Sequence, residues 1–118
     1  MSKVIIVSTH GKDHPERASI PWAVANAGLT FDQEVMVFLQ GPAVLLAKKG
    51  YVGDLRFPPF GPIKKLMEDF LAQGGKIILC APCLEAHMVK EEEIIEGATA
   101  AGAGYLIEQS LGNTVFTY

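Results

Sequence analysis

Long apolar runs are missing from this chain. No segment approaches the roughly 20 consecutive apolar residues a membrane-spanning helix needs, and the short apolar run after Met1-Ser2-Lys3, Val4–Val7, is too short for the centre of a signal peptide. Basic clusters are missing too: Lys and Arg number 10 against 13 acidic residues, the net charge is −3, and the charges are interspersed, with no stripe of the kind that neutralises phosphates. Nucleic acid is therefore not expected as a partner, and a cytoplasmic protein with no membrane span is. Cysteine is scarce, with two in 118 residues, which excludes a disulfide-built scaffold; in a reducing compartment a close pair points instead to catalysis, redox chemistry or metal binding. Internal repeats and low-complexity segments are absent. What the chain has is apolar content, 49%, enough for one domain spanning residues 1–118 with a proper core and too little for two.

Buried-strand patterns alternate with helical ones. Lys3–Ser8 (KVIIVS) is β-branched and apolar on both faces, as in a central parallel strand. A polar loop, Thr9–Pro15, leads to a helix expected over Glu16–Ala27, with Ile20, Ala23, Val24 and Ala27 on its apolar face and Gly28 as its stop. Glu34–Leu39 is a second strand, followed by Gln40-Gly41-Pro42 and a short helix over Ala43–Lys49 with Lys48 and Lys49 at its C-terminal end. Three glycines and three prolines in thirteen residues make Gly50–Pro62 a loop, and its Tyr51, Phe57 and Phe60 read as lid, interface or pocket residues. Ile63, Leu66, Met67, Phe70 and Leu71 share one face of a helix that Gly74-Gly75 ends. Lys76–Leu79 is a third strand, Leu84–Val89 a short helix, Lys90–Glu93 a solvated charged break, and Ile94–Ala100 a fourth strand. A helix over Ala101–Leu111 and a terminal strand over Asn113–Tyr118 complete the pattern. Such alternation predicts a three-layer α/β/α fold with a mainly parallel five-stranded sheet.

Ligands of parallel sheets bind beyond the carboxyl ends of the strands. That rule selects Thr9–His14, Gln40-Gly41 and Cys80–Cys83, and both cysteines fall in this set. With Pro82 expected at the first helical position, Cys83 sits at the second, where the helix dipole favours its thiolate. Cys80, at the strand's end, is close enough to form a disulfide with Cys83 or to receive a persulfide sulfur by exchange. His87 lies one turn beyond Cys83 on the same face and is an accessory candidate, as are His10 and Lys12, the latter able to orient an anionic sulfur species. Gln40, Gly41, Phe57 and Phe60 are the pocket or lid candidates. Cys80, Cys83 and His87 make an incomplete ligand set, so neither metal nor cofactor is expected.

The opening KVIIVSTHG, the short helix ending LAKKG, the helix ending in Gly-Gly, then KIILCAPCLEAHMV and the tail from IIEGATAAGAGYLIEQS to TVFTY, taken together in order and spacing, resemble the DsrE/DsrF-like (YchN-like) family over almost the whole chain. The resemblance implies a five-stranded α/β domain assembled as a homotrimer or homohexamer. It also implies a sulfur-relay or sulfurtransferase-type role, with a persulfide carried on the cysteine that ends the third strand, here Cys80, and passed to or from a protein thiol. Cys83 matches a second cysteine of the branch labelled predicted peroxiredoxin, so thiol–disulfide or peroxide redox chemistry by the Cys80/Cys83 pair stays open. A non-catalytic, oligomeric small-molecule-binding protein is a third reading.

Overall fold

The computed structural model describes residues 3–118. Its strands are β1 (Lys3–Ser8), β2 (Glu34–Leu39), β3 (Lys76–Cys80), β4 (Ala98–Ala101) and β5 (Thr114–Thr117), and its helices are α1 (Pro15–Thr30), α2 (Ile63–Ala72), α3 (Ala81–Ala86) and α4 (Ala103–Ser110). All four strand pairings are parallel, in the order β4-β3-β2-β1-β5. The chain steps outward from β1 to β4 and then returns across the sheet to place β5 on the far side of β1.

Strand alternation divides the core into two faces. Ile6, Val35, Val37, Leu39, Ile77 and Leu79 point to the side covered by α1, α2 and the 3-10 segment Gly41–Ala47. Ile5, Val7, Met36, Phe38 and Ile78 point to the other, against Leu106 of α4 and Ala101. Helices thus lie on both faces, but unequally: the first side holds the large cluster around Trp22 and Phe70, whose rings meet edge-on at 5.7 Å.

Several boundaries differ from expectation for local physical reasons. Helix α1 does not stop at Gly28 but runs to Thr30, because Gly28 is a close-approach residue: a Cβ there would stand 2.8 Å from Val35 Cγ2. Its buried face is Ala18, Trp22 and Ala25 in place of the expected Ile20, Ala23, Val24 and Ala27; the largest side chain, Trp22, sets the rotation of the helix. The expected Ala43–Lys49 helix is a 3-10 segment over Gly41–Ala47, which leaves Lys48 and Lys49 beyond its end, bonded to the Glu91–Glu93 turn through a Lys48–Glu93 ion pair and Lys49 N–H to the Glu93 carbonyl. The fourth strand begins at Ala98, not Ile94. Gly97 has φ +93°, which breaks the extended backbone, and Ile94 instead makes an isolated antiparallel bridge to Lys48. Helix α3 spans Ala81–Ala86 and is capped by His87, with Met88 in the left-handed region at φ 55°. Among the described residues no helix is long and apolar enough to cross a membrane.

Candidate functional site

Cys80 is both the last residue of β3 and the N-cap of α3. Ala81 and Pro82 open the helix, with proline at a first-turn position that requires no N–H, so Cys83 is the third helical residue, one place further in than the sequence predicts. The His87 N–H bonds the Cys83 carbonyl at 2.9 Å and closes the turn. Both thiols are free and half-buried. Burial pushes the Cys80 thiol up from its ordinary range, and interaction with the neighbouring Cys83 thiol adds to the rise; the Cys83 backbone N–H opposes it without completing a cap hydrogen bond.

A cavity of about 50 Å³ opens beside Cys80 on the α4 side of the sheet. Phe38 and Gln40 from the end of β2, and Ala101, Ala103 and Leu106 from the β4–α4 junction, form its walls, and Cys83 is not among its lining residues. The Cys80–Ala101 register pair brings the junction here. Small residues, Ala101, Gly102 and Ala103, let it approach the thiol closely. Of the residues singled out in the sequence, then, Cys80 and Gln40 share a cavity. The β4–α4 wall was not foreseen, since alanine and glycine carry no chemical signature; the run of small residues from Ala98 to Gly104 was its one visible trace.

The remaining candidates lie elsewhere. Ser8, Leu39 and Leu79 are in register across three strands, so the loop after β1 starts about two strand spacings, roughly 10 Å, from the cysteines. There His10 Nδ1 and Asp13 Oδ2 share a 2.7 Å hydrogen bond, Lys12 places its ammonium 4.5 Å from the centre of the Tyr51 ring, and His14 caps α1 by accepting the Arg17 N–H. His10 and Lys12 thus belong to a cluster above β1. The Asp13 carboxyl is held below the usual carboxylate range, first by its hydrogen bond to His10. Gly41, with φ +54°, starts the 3-10 segment beside the Thr9 carbonyl. His87 is half-buried at the end of α3. Phe57 and Phe60 sit in a small self-bonded loop, where the Phe60 N–H meets the Phe57 carbonyl and Arg56 bridges Pro62; neither borders the Cys80 cavity. A larger cavity, about 320 Å³, lies between α2 and the segments around Val52 and Ile95, lined in part by Leu46, Met67 and Leu71 and remote from both cysteines. Among the described residues no three His, Cys, Asp or Glu side chains converge as a metal-binding set.

The chain is 32% identical over 98 residues to an uncharacterized protein of Methanopyrus kandleri, covering 83% of this chain and 78% of that one. It is 28% identical over 103 residues to a longer uncharacterized protein of Methanocaldococcus jannaschii, covering 87% of this chain but spanning only 38% of that relative. In fold it is similar to the YchN protein of E. coli, with a TM-score of 0.83 at 22% identity, and to a protein of unknown function from Methanobacterium thermoautotrophicum, with a TM-score of 0.78 at 14% identity; each match covers the full length of both chains. Residues 2–116 match the model of one family, and on that match this chain belongs to the DsrE/DsrF-like family.

Proposed function

We propose that this protein is a sulfur carrier that accepts sulfane sulfur on Cys80 as a persulfide and passes it to a protein thiol. The family is associated with sulfur relay. The observation that carries the reading is the cavity beside Cys80: about 50 Å³ of mostly apolar space leaves room for an added sulfur atom. The test uses reduced protein exposed to inorganic polysulfide without oxygen. Cys83→Ser should gain about 32 Da, mapped to Cys80, and Cys80→Ser should gain nothing at that position. Failure of Cys80 to take up sulfur in the Cys83→Ser chain, with no sulfide released by the parent, overturns the proposal.

The second reading, a dithiol cycling to a disulfide with thiol or peroxide partners, is favoured by the placement of both thiols within one helical turn. Its signature is peroxide consumption with loss of about 2 Da and no sulfur adduct at any time. Assembly as a homotrimer or homohexamer belongs to the same proposal, supported by apolar side chains left exposed on α4, at its C-cap and on β5: Ile107, Leu111, Val115 and Phe116.

A further inference from the structure

Sulfur carriage on Cys80 leaves Cys83 without a task, and its position supplies one. We infer that Cys83 discharges Cys80: the Cys83 thiolate attacks the inner sulfur of the Cys80 persulfide, sulfide departs, and a Cys80–Cys83 disulfide remains. This step rests on Cys80 being the loaded residue, as proposed above. It gives the carried sulfur an exit that needs no partner protein in the cavity.

The step balances. The sulfur–sulfur bond of the persulfide breaks and a new one forms between the cysteines. The sulfane sulfur leaves with the bonding pair as HS⁻, reduced by two electrons that the two cysteine sulfurs supply as they become a disulfide. The Cys83 proton is lost to solvent when its thiolate forms. A sulfane-sulfur donor of the polysulfide class loads the protein, and a thiol reductant returns it to the dithiol.

Geometry favours this route. Displacement at sulfur proceeds with nucleophile and leaving group on opposite sides of the sulfur attacked. By strand alternation Cys80 falls on the face of Ile78, toward α4, where the cavity lies. Cys83 does not line that cavity; it packs against the other cluster, the one that contains Leu84 and residues of the Gly41–Ala47 segment, which Cys80 also touches. Cys80 thus borders both the cavity and the cluster it shares with Cys83, so an outer sulfur seated in the cavity extends away from the side on which Cys83 packs. The two thiols are near enough for Cys83 to raise the proton affinity of Cys80, and one helical turn separates the residues. The walls matter as well: Phe38 and Leu106 restrict the space around the persulfide, whereas Cys83 is already adjacent. Sulfide is also the better leaving group, being the conjugate base of a stronger acid than an alkyl thiol.

The experiment follows a single discharge. The full-length reduced chain is loaded with polysulfide, desalted without oxygen, and sampled for intact mass, peptide-mapped persulfide and trapped sulfide. The parent chain should release one sulfide per chain and end about 2 Da below the dithiol mass, whereas Cys83→Ser and Cys83→Ala should keep the Cys80 adduct at least about tenfold longer, with no intramolecular disulfide. Circular dichroism of both variants checks that they are folded. Equal adduct lifetimes in parent and variants would overturn the discharge step and leave sulfur carriage standing; so would sulfur recovered on Cys83 in the parent chain with no sulfide released. Absence of any adduct on Cys80 in the parent and in both variants, with no sulfide released, would overturn carriage and discharge together.

Discussion

Phe38 of β2 and Tyr105 of α4 face each other with ring centroids 6.0 Å apart and planes inclined at 39°. Through this contact the return helix is held over the sheet face that carries Cys80, and Phe38 itself walls the cavity. Loss of an aromatic pair of this kind costs about 0.5–1.5 kcal/mol beyond the buried area. Its effect here extends from stability to access, because α4 supplies the opposite wall.

Enlarging that wall should close the cavity. Ala103→Leu adds volume beside Cys80, and overpacking of confined space typically costs about 1–3 kcal/mol. The expected outcome is an at least about tenfold lower yield of Cys80 persulfide after polysulfide exposure, read by peptide mass mapping, while Tyr105→Ala should speed alkylation of Cys80 by loosening α4.

The reactivity of Cys80 should turn on late as pH rises. Its thiol is held above the ordinary range chiefly by burial and next by Cys83, so the midpoint of its iodoacetamide reaction, followed in Cys83→Ala, should stay above the free-cysteine value of about 8.5. That midpoint should nonetheless lie below the one for Cys80 in the parent chain, since the second cause has been removed. A midpoint at or below the free value in Cys83→Ala would contradict burial as the leading cause.

Asp13 makes stability depend on acid. Its folded-state carboxyl is depressed by the His10 hydrogen bond. The stabilisation is therefore present above the unfolded carboxylate range and lost as pH falls through the lower folded value. In thermal melts from about pH 6 down to about pH 2.5, Asp13→Asn should remove part of the acid-side fall in Tm. An unchanged acid limb would show that the pair contributes nothing measurable, the usual result for a fully solvated pair.

The Trp22–Phe70 contact should dominate the energetics of the α1/α2 side. Both residues are fully buried, and Phe70→Ala should lower the free energy of unfolding by about 3–5 kcal/mol in denaturant titration. Phe70→Leu should cost distinctly less, because most of the volume is retained.

Assembly should depend on the exposed apolar residues of α4 and β5. Ile107 is 61% exposed and Val115 41%. Ile107→Glu with Val115→Lys should lower the sedimentation mass to that of one chain while leaving the far-ultraviolet spectrum intact; a parent chain that already sediments as a monomer would refute the proposed oligomer.

Local sequence rules were enough for the element order, the three buried strands β1, β2 and β3, the face of α2 with Ile63, Met67 and Phe70 inward, and the position of the cysteines at the junction of β3 and α3. Each of these follows from interactions between residues close in sequence: alternation in strands, the 3.6-residue period in α2, and the turn chemistry of Gly and Pro. Gly28 and the buried face of α1 were not legible, because Val35 and Phe70, which decide them, are distant in the chain. The same holds for the site. Cys80 and Cys83 were visible as a motif, but only the β4-β3 pairing, with Cys80 opposite Ala101, brings the small residues of the β4–α4 junction around one thiol and leaves the other outside the cavity. Strand order is settled by long-range pairing and by which helix covers which face, and neither leaves a periodic mark in the sequence. The chain by itself thus determined where the two thiols fall in the element order, and tertiary structure decided which of the two cysteines has room beside it.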